Sequence, residues 1–171
     1  KLNGKIINVK TFQQYIQKID GISQTKYEIA NDRWEYAVGL SSEGEFMQMS
    51  FVNGIFTSKG GRHVEYIVNQ IVAKLTKYIE TKKKVLVKPS SIKEQLAVFI
   101  RCDIDNPNFD SQTKDFMNTP VAKFGSSCKV SDDFIEKIAK MGVMSAACQL
   151  TDIKDNQLSW FFKRYHIFWS C

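Results

Sequence analysis

Long hydrophobic runs are missing from this sequence. No segment of its 171 residues stays apolar for the roughly 18 residues a membrane span needs, so no membrane partner is expected. Paired cysteine motifs are missing too. Cys102, Cys128, Cys148 and Cys171 lie far apart with no Cys-x-x-Cys, which argues against a zinc site or a disulfide framework. They read as reduced thiols of an intracellular protein. Lys1-Leu2-Asn3-Gly4 has no hydrophobic core behind its basic start, so a secretory signal is not expected. The opening without methionine predicts a fragment of a longer polypeptide. Internal repeats and low-complexity tracts are absent. So is a Walker loop: the glycines between Asn53 and Arg62 have neither its spacing nor its Gly-Lys-Ser/Thr ending.

What is present suits one domain. A chain of this length buries roughly two-thirds of its unfolded surface, and the apolar fraction of 43% is ordinary. The net charge of +6 leans toward an anionic partner, though plain soluble domains share such a balance.

Read in order, Thr11 caps a short helix with Phe12, Tyr15, Ile16 and Ile19 on one face, stopped by Gly21. Ser23 to Lys26 reads as a turn. Tyr27-Glu28-Ile29 starts a strand that Trp34 to Leu40 continue, with Trp34 and Tyr36 on its core face. Ser41 to Gly44 then predicts a hairpin to Phe46–Val52. The Gly60-Gly61 doublet allows close backbone approach before a helix. Free N–H groups there, with Lys59 and Arg62, would also suit an anion. Val64, Ile67, Val68, Ile71, Val72, Leu75 and Ile79 form the clearest helical stripe in the chain. His63, at that helix start, reads as a structural hydrogen-bonder rather than a base.

Thr81-Lys82-Lys83-Lys84 is a charge run in a connection. Two readings stand: a solvated loop, or a salt-dependent, sequence-blind contact with a phosphate backbone. Pro89 and Ser90 precede a short polar turn. Leu96 to Ile104 predicts a central strand that delivers the chain into Asn106-Pro107-Asn108-Phe109-Asp110-Ser111-Gln112-Thr113-Lys114, a polar loop ending in a cation able to reach a phosphate. Phe116 to Ala122 reads as irregular, and Lys123 to Val130 as a short strand or loop. Ser131 caps a last helix with Asp132 and Asp133 in its first turn and Phe134, Ile135, Ile138 and Met141 on its apolar face. The order predicts an α/β fold, an α+β sandwich with helices on one face of a small mixed sheet. Gln24-Thr25-Lys26 duplicates Gln112-Thr113-Lys114, and nothing beside the first copy suggests a ligand loop.

Three blocks carry a resemblance. Phe51-Val52-Asn53-Gly54-Ile55-x-Thr57-Ser58-Lys59-Gly60-Gly61-Arg62-His63-Val64 resembles the lead into the long helix of the transducer domain of eukaryotic-type DNA topoisomerase II, a member of the GHKL ATPase superfamily. Asn106-Pro107-x-Phe109-Asp110-Ser111-Gln112-Thr113-Lys114 is similar to that family's switch loop. Phe124-Gly125-Ser126-Ser127-Cys128, with Ser131-x-x-Phe134-Ile135, resembles its next block. Phe12-x-x-Tyr15 and Arg33-Trp34-Glu35 match more weakly. The blocks run in order from about residue 8 to 144, and this order selects the second Gln-Thr-Lys over the first.

The resemblance implies a ribosomal-protein-like left-handed β-α-β crossover, against the usual right-handed rule. It implies residues 1–150 as the transducer domain and 151–171 as a departing tail. That aromatic-rich tail, which includes His166, reads as an extra packed element, an interaction surface or a non-native extension. ATP and Mg2+ are implied to sit mainly in an N-terminal ATPase domain, with Lys114, and Gln112 beside it, sensing the γ-phosphate. Lys82, Lys83 and Lys84 fall where the family carries a lysine-rich loop that contacts transported DNA. The implied partners are double-stranded DNA, the ATPase domain and cleavage core of the same chain, and a second copy in a homodimer. Its place is the nucleus for a cellular enzyme, and host cytoplasm or nucleus for a viral one. Nucleotide-binding motifs and a cleavage tyrosine are absent here, so the fragment alone is expected to be inactive. The alternative class is a standalone basic α/β nucleic-acid-binding domain without ATP coupling.

Overall fold

A computed structural model describes residues 4, 8–19 and 22–143 of the chain. Cys148 and the tail from Thr151, with His166 and Cys171, lie outside the described residues. The elements are α1 (Phe12–Ile16), β1 (Ile22–Asn31), β2 (Trp34–Ser41), β3 (Met47–Val52), β4 (Ile55–Thr57), β5 (Gly60–Gly61), α2 (Arg62–Lys83), α3 (Pro89–Glu94), β6 (Leu96–Cys102), β7 (Phe116–Met117) and α4 (Asp132–Ile138).

Five strands form a mixed sheet in the order β1-β2-β6-β3-β4. β6 sits at its centre because Leu96 to Cys102 is buried at every position but Arg101. A strand apolar on both faces takes the slot where both faces are covered. This overturns the expected hairpin between β2 and β3. β6 lies between them, antiparallel to β2 (Trp34↔Cys102 to Leu40↔Leu96) and parallel to β3 (Met47↔Ala97 to Val52↔Cys102). The parallel pair requires a crossover, and α2 supplies it.

Two upstream expectations are corrected as well. Tyr27–Ile29 and Trp34–Leu40 are not one run but the two arms of a hairpin, closed by the Asn31↔Trp34 pair. The Asn31 carboxamide accepts from Arg33 N–H at 3.0 Å and shapes the reversal. Gln24-Thr25-Lys26 is not a turn but part of β1, with a bulge at Gln24 (φ 48). Gly39 on β2 permits that pairing: a Cβ there would overlap the Ile22 methyl and lie 3.2 Å from Thr25 Cγ2.

One face of the sheet carries the main core. Trp34, Tyr36 and Val38 meet Val98 and Ile100 beneath Ile67, Ile71, Leu75 and Ile79 of α2, Ile92 of α3 and Phe134 and Ile138 of α4. The whole predicted stripe of α2 is buried. The short α1 covers part of the opposite face, where Ile16 packs with Ala37, Ala97 and Phe99. Ser131 accepts from Phe134 N–H at 3.0 Å and caps α4 as predicted; Thr11 caps α1 on Gln14 N–H at 3.2 Å, and that helix ends at Ile16. Cys102 and Cys128 are buried and free, and burial pushes both thiols up, Cys128 to about 12.

Pro89 opens α3 at its first turn rather than leading into a turn. Thr81, Lys82 and Lys83 belong to the last turn of α2, not to a connection. Lysine is a good helix former, and the C-terminal dipole favours its charge.

Candidate functional site

The loop after β6 is fixed first at its root. Asn53 in the β3–β4 turn donates its amide to Ile104 O at 2.9 Å and accepts from Ile104 N at 2.8 Å, extending the sheet by one side chain. Arg33 spreads its fork over three groups: Nε donates to Asp103 O at 3.0 Å, one Nη to Gly125 O at 3.1 Å, and the other pairs with Asp105 Oδ1 at 2.7 Å. Asp105 N–H donates to Phe124 O at 3.2 Å. Gly125 (φ 71) is required here, because a Cβ would overlap the Asp105 carboxylate. Trp34 Nε1 donates to Ser126 Oγ at 2.8 Å. The blocks around Arg33 and Phe124 therefore brace the loop.

From Asn108 to Asn118 the chain forms a small hairpin. Asn118 N–H donates to Asn108 O at 2.8 Å, Phe109 faces Met117, and Asp110 N–H donates to Phe116 O at 3.1 Å. Ser111 to Lys114 closes it by a turn, with Lys114 N–H on Ser111 O at 3.1 Å. Hydroxyls stiffen the tip: Ser111 Oγ lies 2.7 Å from Thr113 Oγ1, which donates to Asp115 Oδ2 at 2.8 Å. Gln112 is exposed at the tip. Lys114, in the left-handed region (φ 59), is half-buried with its ammonium 5.9 Å from the Phe109 ring centroid. No carboxylate pairs with it among the described residues.

A strap from Ser58 to Gly61 holds the hairpin from the other side. Ser58 Oγ donates to Asp115 Oδ1 at 2.9 Å, Lys59 N–H to Asp115 O at 2.9 Å, and Lys59 Nζ lies 3.9 Å from Asp115 Oδ2. The hydroxyls of Thr113 and Ser58 hold the Asp115 carboxyl below the usual carboxylate range, and Lys59 adds to this. β5 and β7 pair in parallel, Gly60 with Phe116 and Gly61 with Met117. The close approach expected of the glycine doublet is thus toward the loop backbone.

Behind the strap, His63 Nε2 lies 3.3 Å from Thr57 Oγ1, which donates to Ser50 O at 3.0 Å. Full burial lowers its pKa to about 4, so the imidazole is neutral and structural. Sequence reasoning missed Asp115, which directly follows Lys114 and binds the strap by three groups. It also took Arg33 only as a weak family match. A polar residue flanking a recognised loop is a usable signal, but its partner comes from 57 residues away.

Lys82, Lys83 and Lys84 stand at the far end of α2. All three are exposed, and none joins an ion pair among the described residues. Lys84 ends the helix in the left-handed region (φ 55, ψ 30), its N–H on Glu80 O. The 22 residues of α2 separate this cluster from Lys114 by about 30 Å of helix, so the two predicted sites are distinct.

A family profile described as DNA gyrase B matches residues 5–154. DNA topoisomerase 2 of Arabidopsis thaliana is 42% identical over 167 residues, 92% of this chain and 11% of that protein. DNA topoisomerase 2-beta of Homo sapiens is 42% identical over 154 residues, 84% of this chain and 9% of that protein. Among solved structures, the ATPase region of Saccharomyces cerevisiae topoisomerase II superposes with a TM-score of 0.78 at 39% identity, covering 88% of this chain and 39% of that one. The ATPase and transducer domains of DNA topoisomerase II from Balamuthia mandrillaris give 0.75 at 36% identity, covering 85% and 37%. The chain spans about a tenth of the length of these curated relatives.

Proposed function

The chain belongs to the DNA gyrase B family, and from that membership we propose that it is the transducer segment of an ATP-dependent type II DNA topoisomerase. Its Ser111–Lys114 tip reads the γ-phosphate of ATP and couples hydrolysis to passage of one DNA duplex through another. The observation that carries this reading is Lys114, which has no carboxylate partner among the described residues and sits on a hairpin braced from both sides. Likeness to ATPase and transducer structures supports it over a standalone nucleic-acid-binding domain.

The tip suits a phosphate. Gln112 and Lys114 offer an amide and an ammonium, while Asp110 and Asp115 are occupied by Ser111, Thr113, Ser58 and backbone donors. The magnesium ion fits poorly here. No group of three or more His, Cys, Asp or Glu side chains is placed to hold a metal among the described residues, so no step is routed through one. Magnesium and most of the nucleotide are assigned to the ATPase domain of the parent chain.

Bound ATP supplies the phosphoryl group that passes to water. Lys114 donates to the terminal phosphate oxygens and stabilises the charge that grows there. Gln112 lies beside it and orients toward the same oxygens. When that anion leaves, Lys114 loses its counter-charge and the hairpin relaxes against the strap, turning α2. Lys82, Lys83 and Lys84 meet the transported duplex at the other end. The cleavage core and a second copy of the parent chain complete the enzyme.

In the complete enzyme, Lys114→Ala is expected to keep nucleotide binding while hydrolysis and strand passage fall together by roughly 100-fold. Unchanged strand passage would refute the assigned role.

A further inference from the structure

We propose that the tip after α2 grips duplex DNA through an apolar contact as well as through charge, with Leu86 seated in the minor groove between phosphates held by the surrounding lysines. This rests on reading Lys82, Lys83 and Lys84 as a DNA contact. Leu86 is 77% exposed and Val85 38%, whereas Val87 is 6% exposed and packs into the main core. The chain seats one apolar side chain and turns its neighbours outward.

The tip is closed at both ends. Lys84 N–H is bound to Glu80 O at 3.0 Å, and Ser91 N–H to Lys88 O at 3.0 Å where Pro89 opens α3. Leu86 is therefore presented on a short, built connection. At the helix end, glycine is the residue that takes the left-handed position most easily, yet Lys84 occupies it with its ammonium in solvent. Lys88 is exposed on the other side of Leu86. Along the chain, Lys82, Lys83 and Lys84 precede Leu86 and Lys88 follows it, all exposed and none in an ion pair among the described residues.

Charge selects a polyanion, and apolar size selects its kind. One leucine and a half-exposed valine are too little to hold a lipid surface, where even a single acyl chain binds marginally. A single apolar side chain is, however, the wedge that proteins set between base steps from the minor groove. Charge and wedge leave different thermodynamic marks: lysine contacts release counterions and set the salt slope, whereas an apolar contact changes affinity at every salt alike.

The test measures binding of the chain to a short fluorescent duplex over a salt series. Leu86→Ala is expected to weaken binding about fivefold at each salt concentration with an unchanged slope, since it removes part of one apolar side chain's burial. Leu86→Phe should restore affinity. Replacing Lys82, Lys83 and Lys84 together with alanine should make the slope shallower by about 2.7. If Leu86→Ala binds like the parent while the lysine variant loses slope, the inference is overturned and the reading beneath it survives. If the lysine slope is unchanged, or the parent chain does not bind, that reading itself fails. A Leu86→Ala variant that keeps its DNA affinity but no longer binds phosphatidylserine vesicles captured by the parent would reassign Leu86 to lipid.

Discussion

Replacing Gly61 with alanine tests how the strap and the loop are joined. Gly61 has φ 144 and ψ −167, backbone space open essentially to glycine alone, and forcing another residue there costs about 1–3 kcal/mol. Space is also lacking. A Cβ would overlap the Met117 carbonyl oxygen and lie 2.6 Å from Met117 N and 2.9 Å from its Cα, all backbone atoms that cannot swing away. β5 and β7 must then part, losing hydrogen bonds worth about 1 kcal/mol each. The sum is about 3–4 kcal/mol, which for a chain of this size lowers Tm by about 10 °C. Gly60→Ala is the control. Its φ of 75 is strained, but the nearest atoms are side chains of Gln48 and Val64 at 3.3 Å, so a fall of about 3 °C is expected. Circular dichroism melts of both variants give the comparison, and hydrogen exchange at the Asp110, Phe116 and Asn118 amides locates the damage. If Gly61→Ala melts no lower than Gly60→Ala, the strap does not hold the loop as argued.

Two further outcomes follow from buried and bridging groups. His63 is neutral in the folded state with its pKa lowered from 6.5 to about 4, so between these values the unfolded chain binds a proton that the folded chain refuses. Stability is therefore full above pH 6.5 and falls by about 3 kcal/mol as pH drops to 4. Urea unfolding of the parent and His63→Gln across that range should show this loss in the parent, while the variant keeps only the smaller acid-side loss from depressed carboxylates such as Asp115. Arg33→Lys removes the fork that binds Asp103, Gly125 and Asp105 together. It should cost about 1–2 kcal/mol and speed exchange at the Asp105 amide, and an unchanged exchange rate there would leave the root of the loop unexplained.

The local elements were legible where one short pattern decides them. The α2 stripe repeats at helical spacing through Ile79, and Ser131 with its two aspartates announces α4, so no distant information is needed. Leu96 to Ile104 reads as a buried strand by composition, and the strand formed ends two residues earlier, at Cys102. Pairing was not legible in the same way. β3 lies beside β6 rather than β2 because β6 demands cover on both faces, a condition set by residues some 50 positions away. The Gln24 bulge hid for a similar reason: polar Gln-Thr-Lys reads as a turn until Gly39 on the neighbouring strand makes room. The Lys114 loop was placed by its family pattern, while its support by Arg33, Ser58 and Asp115 exists only once three separated segments meet.

The length of α2 has a mechanical meaning. Gly61, the residue just before its first turn, is paired with Met117 of the Lys114 hairpin, and its last turn carries the lysine cluster. A straight arm of about 30 Å converts a pivot of about 10° at one end into about 5 Å of travel at the other, the rise of one helical turn. Such an arm transmits a pivot only while it resists bending. Ile67, Ile71, Leu75 and Ile79, each fully buried along it, clamp it to the sheet, so any pivot imposed at the Gly61 end would be carried by the helix and the sheet beneath it together.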